Sequence, residues 1–80
     1  MKSRKVYVRV VAEIDEDGNK RPLSVKWEDG RVYEIDKIIE VKRAFAAKVG
    51  GTAVRYTISV GGKITFLFED EGKWFAESRV

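Results

Sequence analysis

The stretch Ala53–Phe75, AVRYTISVGGKITFLFEDEGKWF, decides the fold. From Val54 the chain alternates: Val54, Tyr56, Ile58 and Val60 fall on one side, Arg55, Thr57 and Ser59 on the other. Period-two alternation of β-branched and aromatic residues marks a strand with one buried face. After Gly61-Gly62 a second run sets Ile64, Phe66 and Phe68 against Lys63, Thr65 and Leu67. After Asp70-Glu71-Gly72 a third sets Trp74 and Ala76 against Phe75 and Glu77. The stretch reads as a three-stranded antiparallel meander.

Loop lengths follow from register, because a one-residue slip exchanges the two faces of a strand. A two-residue Gly61-Gly62 turn puts Val60 opposite Lys63 and Ile58 opposite Thr65. A three-residue loop, Val60-Gly61-Gly62, puts Ile58 opposite Ile64 and Tyr56 opposite Phe66, and keeps one face apolar. The three-residue loop is therefore expected. The same reasoning at Asp70-Glu71-Gly72 pairs Phe68 with Trp74 and Glu69 with Lys73. Each loop then ends in glycine, which suits a type I turn closed by a left-handed residue.

Outward from the meander, Val6, Val8, Val10, Ala12 and Ile14 alternate with Tyr7, Arg9, Val11 and Glu13, giving a long first strand with the Val/Ile side inward. Asp15-Glu16-Asp17-Gly18-Asn19 ends it as a turn. That acidic run lacks the spacing of a calcium loop, including the bidentate glutamate at its twelfth position. Pro22 opens a strand from Leu23 to Trp27, and Glu28-Asp29-Gly30 closes a hairpin. A three-residue loop there pairs Val25 with Tyr33 and Leu23 with Ile35.

Asp36–Val49 is ambiguous. A helix capped by Asp36 gathers Ile38, Ile39, Val41, Phe45, Ala46 and Val49 on one side, interrupted by Lys42. Against it, the β-branched start and the need for another strand between Ile35 and Ala53 point to a strand over 37–44. The expected architecture is one all-β domain over residues 1–80, a small antiparallel barrel of five or six strands.

Composition narrows function. The 80-residue chain has no cysteine and no histidine. This removes disulfides, thiolate and imidazole catalysis and histidine metal ligation, and it is compatible with a reducing cytoplasm. No apolar run reaches the roughly 20 residues of a membrane helix. The serines lie in no nucleophile-elbow context, Gly50-Gly51-Thr52 lacks the pattern of a phosphate-binding loop, and the carboxylate pairs sit at turns. A non-enzymatic module without a cofactor is expected.

Pro22-Leu23-Ser24, Trp27-Glu28-Asp29-Gly30-Arg31, Gly50-Gly51-Thr52, Arg55-Tyr56-Thr57, Gly62-Lys63 and Trp74-Phe75 together resemble a family of small bacterial proteins carrying a domain of unknown function. The resemblance spans Val6 to Phe75, with Ala53 where that pattern has glycine. It implies a small barrel similar to Src-homology-3-like and Sm-like modules, and no catalytic residue.

The formal net charge of +3 permits phosphate contact. Lys42, Arg43, Lys48 and Arg55 cluster in sequence around Gly50-Gly51, and the expected register puts Leu67 and Phe75 beside Arg55 on the outward face. Cations that track phosphates beside a ring that stacks on a base are how β modules hold single-stranded nucleic acid. The expected contact set is Lys42, Arg43, Lys48, Arg55 and Phe75. The alternative for the same residues is an ordinary solvated face, with Leu67 and Phe75 packed beneath the 37–49 segment. Two further readings involve protein partners: Tyr7, Trp27 and Tyr33 as an aromatic groove for an extended peptide, and pairing through an exposed strand edge.

Overall fold

The computed structural model describes residues 3–46 and 51–79. Eight strands and no helix fill them: β1 (Ser3–Tyr7), β2 (Arg9–Ile14), β3 (Lys20–Lys26), β4 (Val32–Glu34), β5 (Lys37–Ala46), β6 (Gly51–Val60), β7 (Lys63–Asp70) and β8 (Lys73–Arg79). They form two antiparallel sheets, a five-stranded one in the order β1-β8-β7-β6-β5 and a three-stranded one in the order β2-β3-β4.

The all-β class is as expected, but the barrel is not. The long first strand breaks at Val8 and changes sheets. Val8 N–H donates to the Trp74 carbonyl at 3.1 Å, while Arg9 already pairs with Lys26. A second corner follows β4. Ile35 N–H donates to Leu23 O at 2.9 Å and Asp36 N–H to Ser59 O at 2.8 Å, so the chain crosses between sheets in one residue. Among the described residues the sheets are joined by chain at these corners and by no ladder. The result is two packed sheets, not closed into a barrel.

The central meander is present, in the other register. Val60 pairs with Lys63, Ile58 with Thr65 and Tyr56 with Leu67. Gly61 and Gly62 both have positive φ, 58° and 80°, as a two-residue type I′ turn requires. Asp70 pairs with Lys73, Glu69 with Trp74 and Phe68 with Phe75 across Glu71-Gly72, where φ is 51° and 82°. These turns match the right-handed twist of the flanking strands, and that outweighs the apolar matching on which the sequence argument relied. Positive φ at Glu71, a residue with a side chain, is unfavourable. The Glu69 carboxylate offsets it by accepting the Gly72 N–H at 2.7 Å.

The hairpin between β3 and β4 follows the expected register: Val25 faces Tyr33, Trp27 N–H donates to Arg31 O, and Gly30 closes the loop with φ 90°. β3 begins at Lys20, earlier than expected, so Pro22 lies inside it. Pro22 lies opposite Ala12, next to the register shift between Val11 and Ala12 that leaves Leu23 without a partner in β2, and strands tolerate proline beside such a bulge. β5 resolves residues 37–46 of the ambiguous segment as a strand, in antiparallel register with β6, and residues 47–49 lie outside the described residues.

Register determines the core. One side of the large sheet carries Tyr56, Ile58 and Leu67, which pack against Val25 of the small sheet, with Val8, Val10, Ile35, Ile38, Val54, Val60 and Trp74 around them. Tyr56 and Trp74 lie 5.2 Å apart between centroids. Leu67, expected to face outward, is 2% exposed, while Phe66, expected to face inward, is 47% exposed. Ile14, at the end of β2, also lies in solvent. Truncating a buried leucine costs about 2–5 kcal/mol, whereas surface changes usually stay below about 1 kcal/mol. Leu67→Ala is therefore expected to lower the urea midpoint far more than Phe66→Ala. The reverse order would restore the three-residue register.

Candidate functional site

Pairing alternation assigns the outer side of the large sheet, away from β2-β3-β4, to Lys5 and Tyr7 of β1, Phe75 of β8, Phe66 and Phe68 of β7, Arg55 and Thr57 of β6, and Glu40 and Lys42 of β5. At its centre Phe68 and Phe75 stack with centroids 5.2 Å apart and planes 8° from parallel, and with Ala53 they form a second buried cluster. Ala53 is fully buried there, so a small residue is needed at this position. Around the cluster are two exposed rings, each with a cation. Lys5 Nζ lies 4.7 Å from the Tyr7 ring centroid and 5.1 Å from that of Phe75. The Arg55 guanidinium carbon lies 4.7 Å from the Phe66 centroid. All three distances are within the reach of cation–π attraction.

The Arg55 guanidinium is little used by the protein itself. Its Nη2 is 3.7 Å from Glu40, beyond a hydrogen bond, and its buried Nε has no acceptor among the described residues. Lys42, opposite Arg55 in register, is 3.9 Å from Glu40. One carboxylate thus holds two cations loosely at the exposed edge.

The expected contact set divides on this geometry. Lys42 and Arg55 share the outer face. Arg43 lies one residue further along β5 and so on the other side, where its charge acts on Glu69. Lys48 lies outside the described residues. Phe75 shares the outer side with Arg55 but is 1% exposed, so it supports the surface from below and offers no ring for a base. Leu67 is on the opposite side altogether. Of the rings that do reach solvent, Phe66 was missed because the three-residue register turned it inward, and Tyr7, expected in a peptide groove, is brought to this face by the pairing of β1 with β8. The signal for Phe66 was the Gly-Gly pair, whose two left-handed residues define the shorter turn.

Trp27 lines two clefts. One, of about 500 Å³, is lined by Trp27, Tyr33, Val25, Ile58, Val60 and Leu67, with Lys63 at its rim. The other, of about 480 Å³, runs from Tyr7 and Arg9 to Trp27 and Glu28. Trp27 and Tyr33 therefore share one cleft, and Tyr7 joins Trp27 in the other.

Three further charged groups, in two arrangements, carry shifted titrations. Burial pushes the Glu69 carboxyl up, but the hydrogen bond from Lys20, the Gly72 N–H and the charges of Lys20 and Arg43 together bring it below its ordinary value. The hydrogen bond to Glu69, at 2.8 Å, raises Lys20 above its own. Backbone N–H donation from Asn19 and Asp17 lowers Asp15, fixing the turn after β2. Both arrangements are structural: they tie turns to strands and present no nucleophile–base pair. No group of three or more acidic residues suited to a metal occurs among the described residues.

Against family models, curated proteins and solved structures, the chain has no match. The resemblance to the small bacterial family rests on the quoted residues alone.

A carboxylate with a depressed folded pKa stabilises the fold above its unfolded pKa, and that contribution disappears as pH falls through the folded value. Glu69→Gln is expected to lower the denaturation midpoint at neutral pH. The gap to the unsubstituted chain should narrow as pH falls below the ordinary glutamate value of about 4.3 and on through the lower folded value. A gap independent of pH would place the effect in packing instead.

Proposed function

We propose that the chain is a non-enzymatic module that binds single-stranded nucleic acid on the outer face of its five-stranded sheet. The observation that carries this reading is the Arg55–Phe66 pair: an exposed ring with a cation over it whose hydrogen-bond donors are largely unused by the protein. A base stacks on Phe66, Arg55 and Lys42 meet phosphate oxygens, and Lys5 with Tyr7 repeats the combination on the far edge strand. Stacking on exposed aromatics beside a cationic track tolerates any base sequence, because every base has a π-face. The reading needs no cofactor and fits a cytoplasmic chain. Glu40 opposes it, since its carboxylate competes with phosphate for both neighbouring cations.

Fluorescence anisotropy with a short labelled mixed-sequence oligonucleotide tests it. Affinity is expected to fall steeply between about 50 and 200 mM salt. Loss of one base–aromatic stack is worth about 1–3 kcal/mol, so Phe66→Ala should weaken binding at least about fivefold, and Arg55→Ala should also reduce the salt dependence. Glu40→Gln should strengthen binding. Unchanged affinity in both Phe66→Ala and Arg55→Ala would remove the proposal.

The cleft containing Trp27 and Tyr33 supports a second reading, an extended apolar peptide lying between the sheets. Such binding would shift Trp27 fluorescence and depend little on salt, so the two readings separate in one titration series.

A further inference from the structure

β5 is the longest strand at any sheet edge among the described residues: its ten residues pair with β6 on one side only. An open edge offers a row of unpaired backbone donors and acceptors to another strand. The other edges are short, with five residues in β1, six in β2 and three in β4. β5 also leaves apolar surface uncovered, since Val41 is 50% exposed and Ile39 46%. We infer that β5 pairs antiparallel with β5 of a second copy of this chain, about a two-fold axis at Val41, joining two five-stranded sheets into one.

Among centres from Ile38 to Arg43, charge selects this register. In a symmetric antiparallel pair one residue lies opposite its own copy, and residues equally spaced on either side of it face one another. Centred on Glu40, two carboxylates meet; centred on Lys42, two ammonium groups; centred on Arg43, two guanidinium groups. Centred on Ile38, Asp36 meets Glu40. Ile39 lies in the irregularity between Ile38 and Glu40 in the β5–β6 ladder, and so makes a poor centre. Centred on Val41, Glu40 of each copy lies opposite Lys42 of the other, and the two Val41 side chains cover one another. Opposite charges directly across a pair of strands stabilise it, and like charges destabilise it. The Glu40–Lys42 contact within one chain, at 3.9 Å, already places both groups on one side of the strand. The second copy completes a ring of two carboxylates and two ammonium groups.

The pairing predicts concentration-dependent dimerisation in sedimentation velocity. Glu40→Lys and Lys42→Glu should each give monomer, and the double swap Glu40→Lys/Lys42→Glu should restore the dimer, which also shows that the single variants did not merely misfold. A residue opposite its own copy in an antiparallel pair lies about 4.5–5.5 Å away between Cα atoms, within disulfide range. The chain has no native cysteine. Val41→Cys should therefore oxidise to a covalent dimer, and Lys42→Cys should do so much more slowly. A chain that sediments as monomer up to its solubility limit, a double swap that fails to restore association, or Lys42→Cys cross-linking as readily as Val41→Cys would each overturn the inference.

Discussion

The structure depends on the backbone conformation of two tight turns. Gly61-Gly62 and Glu71-Gly72 each reverse the chain in two residues with positive φ. Each thereby fixes which residues of β7 face inward. Leu67 enters the core between the sheets; Phe66 and Phe68 go to the other side. One extra residue in either loop would exchange these roles along a whole strand. The Lys20–Glu69–Gly72 contacts matter for this reason. They brace the less favourable of the two turns, and they tie it to β3 in the second sheet.

The class of fold was legible in the sequence, because alternation survives an error of register. So was the β3–β4 hairpin, where Glu28-Asp29-Gly30 suits a three-residue loop and apolar pairing agrees with it. β5 was legible from its β-branched start. The β6–β7 register was marked only by Gly61-Gly62, which suits a two-residue type I′ turn, while apolar matching pointed to the longer loop, and the deciding quantity, the twist of the joined strands, is not a side-chain property. The break at Val8 left no mark either. The alternation from Val6 to Val10 runs through it unbroken, and a strand that changes sheets keeps its inward residues inward.

The kind of chemistry on the candidate face was also legible: cations interleaved with rings, and neither imidazole nor thiol. Its membership was not. Neighbours in sequence such as Lys42 and Arg43 point to opposite sides of a strand, so a cluster in sequence divides in space. Phe75 stands in the right row but is stacked on Phe68 beneath the surface, where it stiffens the platform. Lys5 and Tyr7 join the site only because β1 pairs with β8, a contact between distant parts of the chain that no local pattern announces.

That same pairing determines how the molecule bears load. Ser3 faces Arg79, and the ladder runs inward from there to Tyr7 and Phe75. Tension applied through residues 3 and 79 would pull perpendicular to the strands at the first pair of the ladder. The β1–β8 bonds would then open one after another like a zipper, not together in shear. The molecule is thus mechanically soft along the line joining residues 3 and 79, and peeling β1 away would expose Val6 and Phe75 before the core between the sheets gives way.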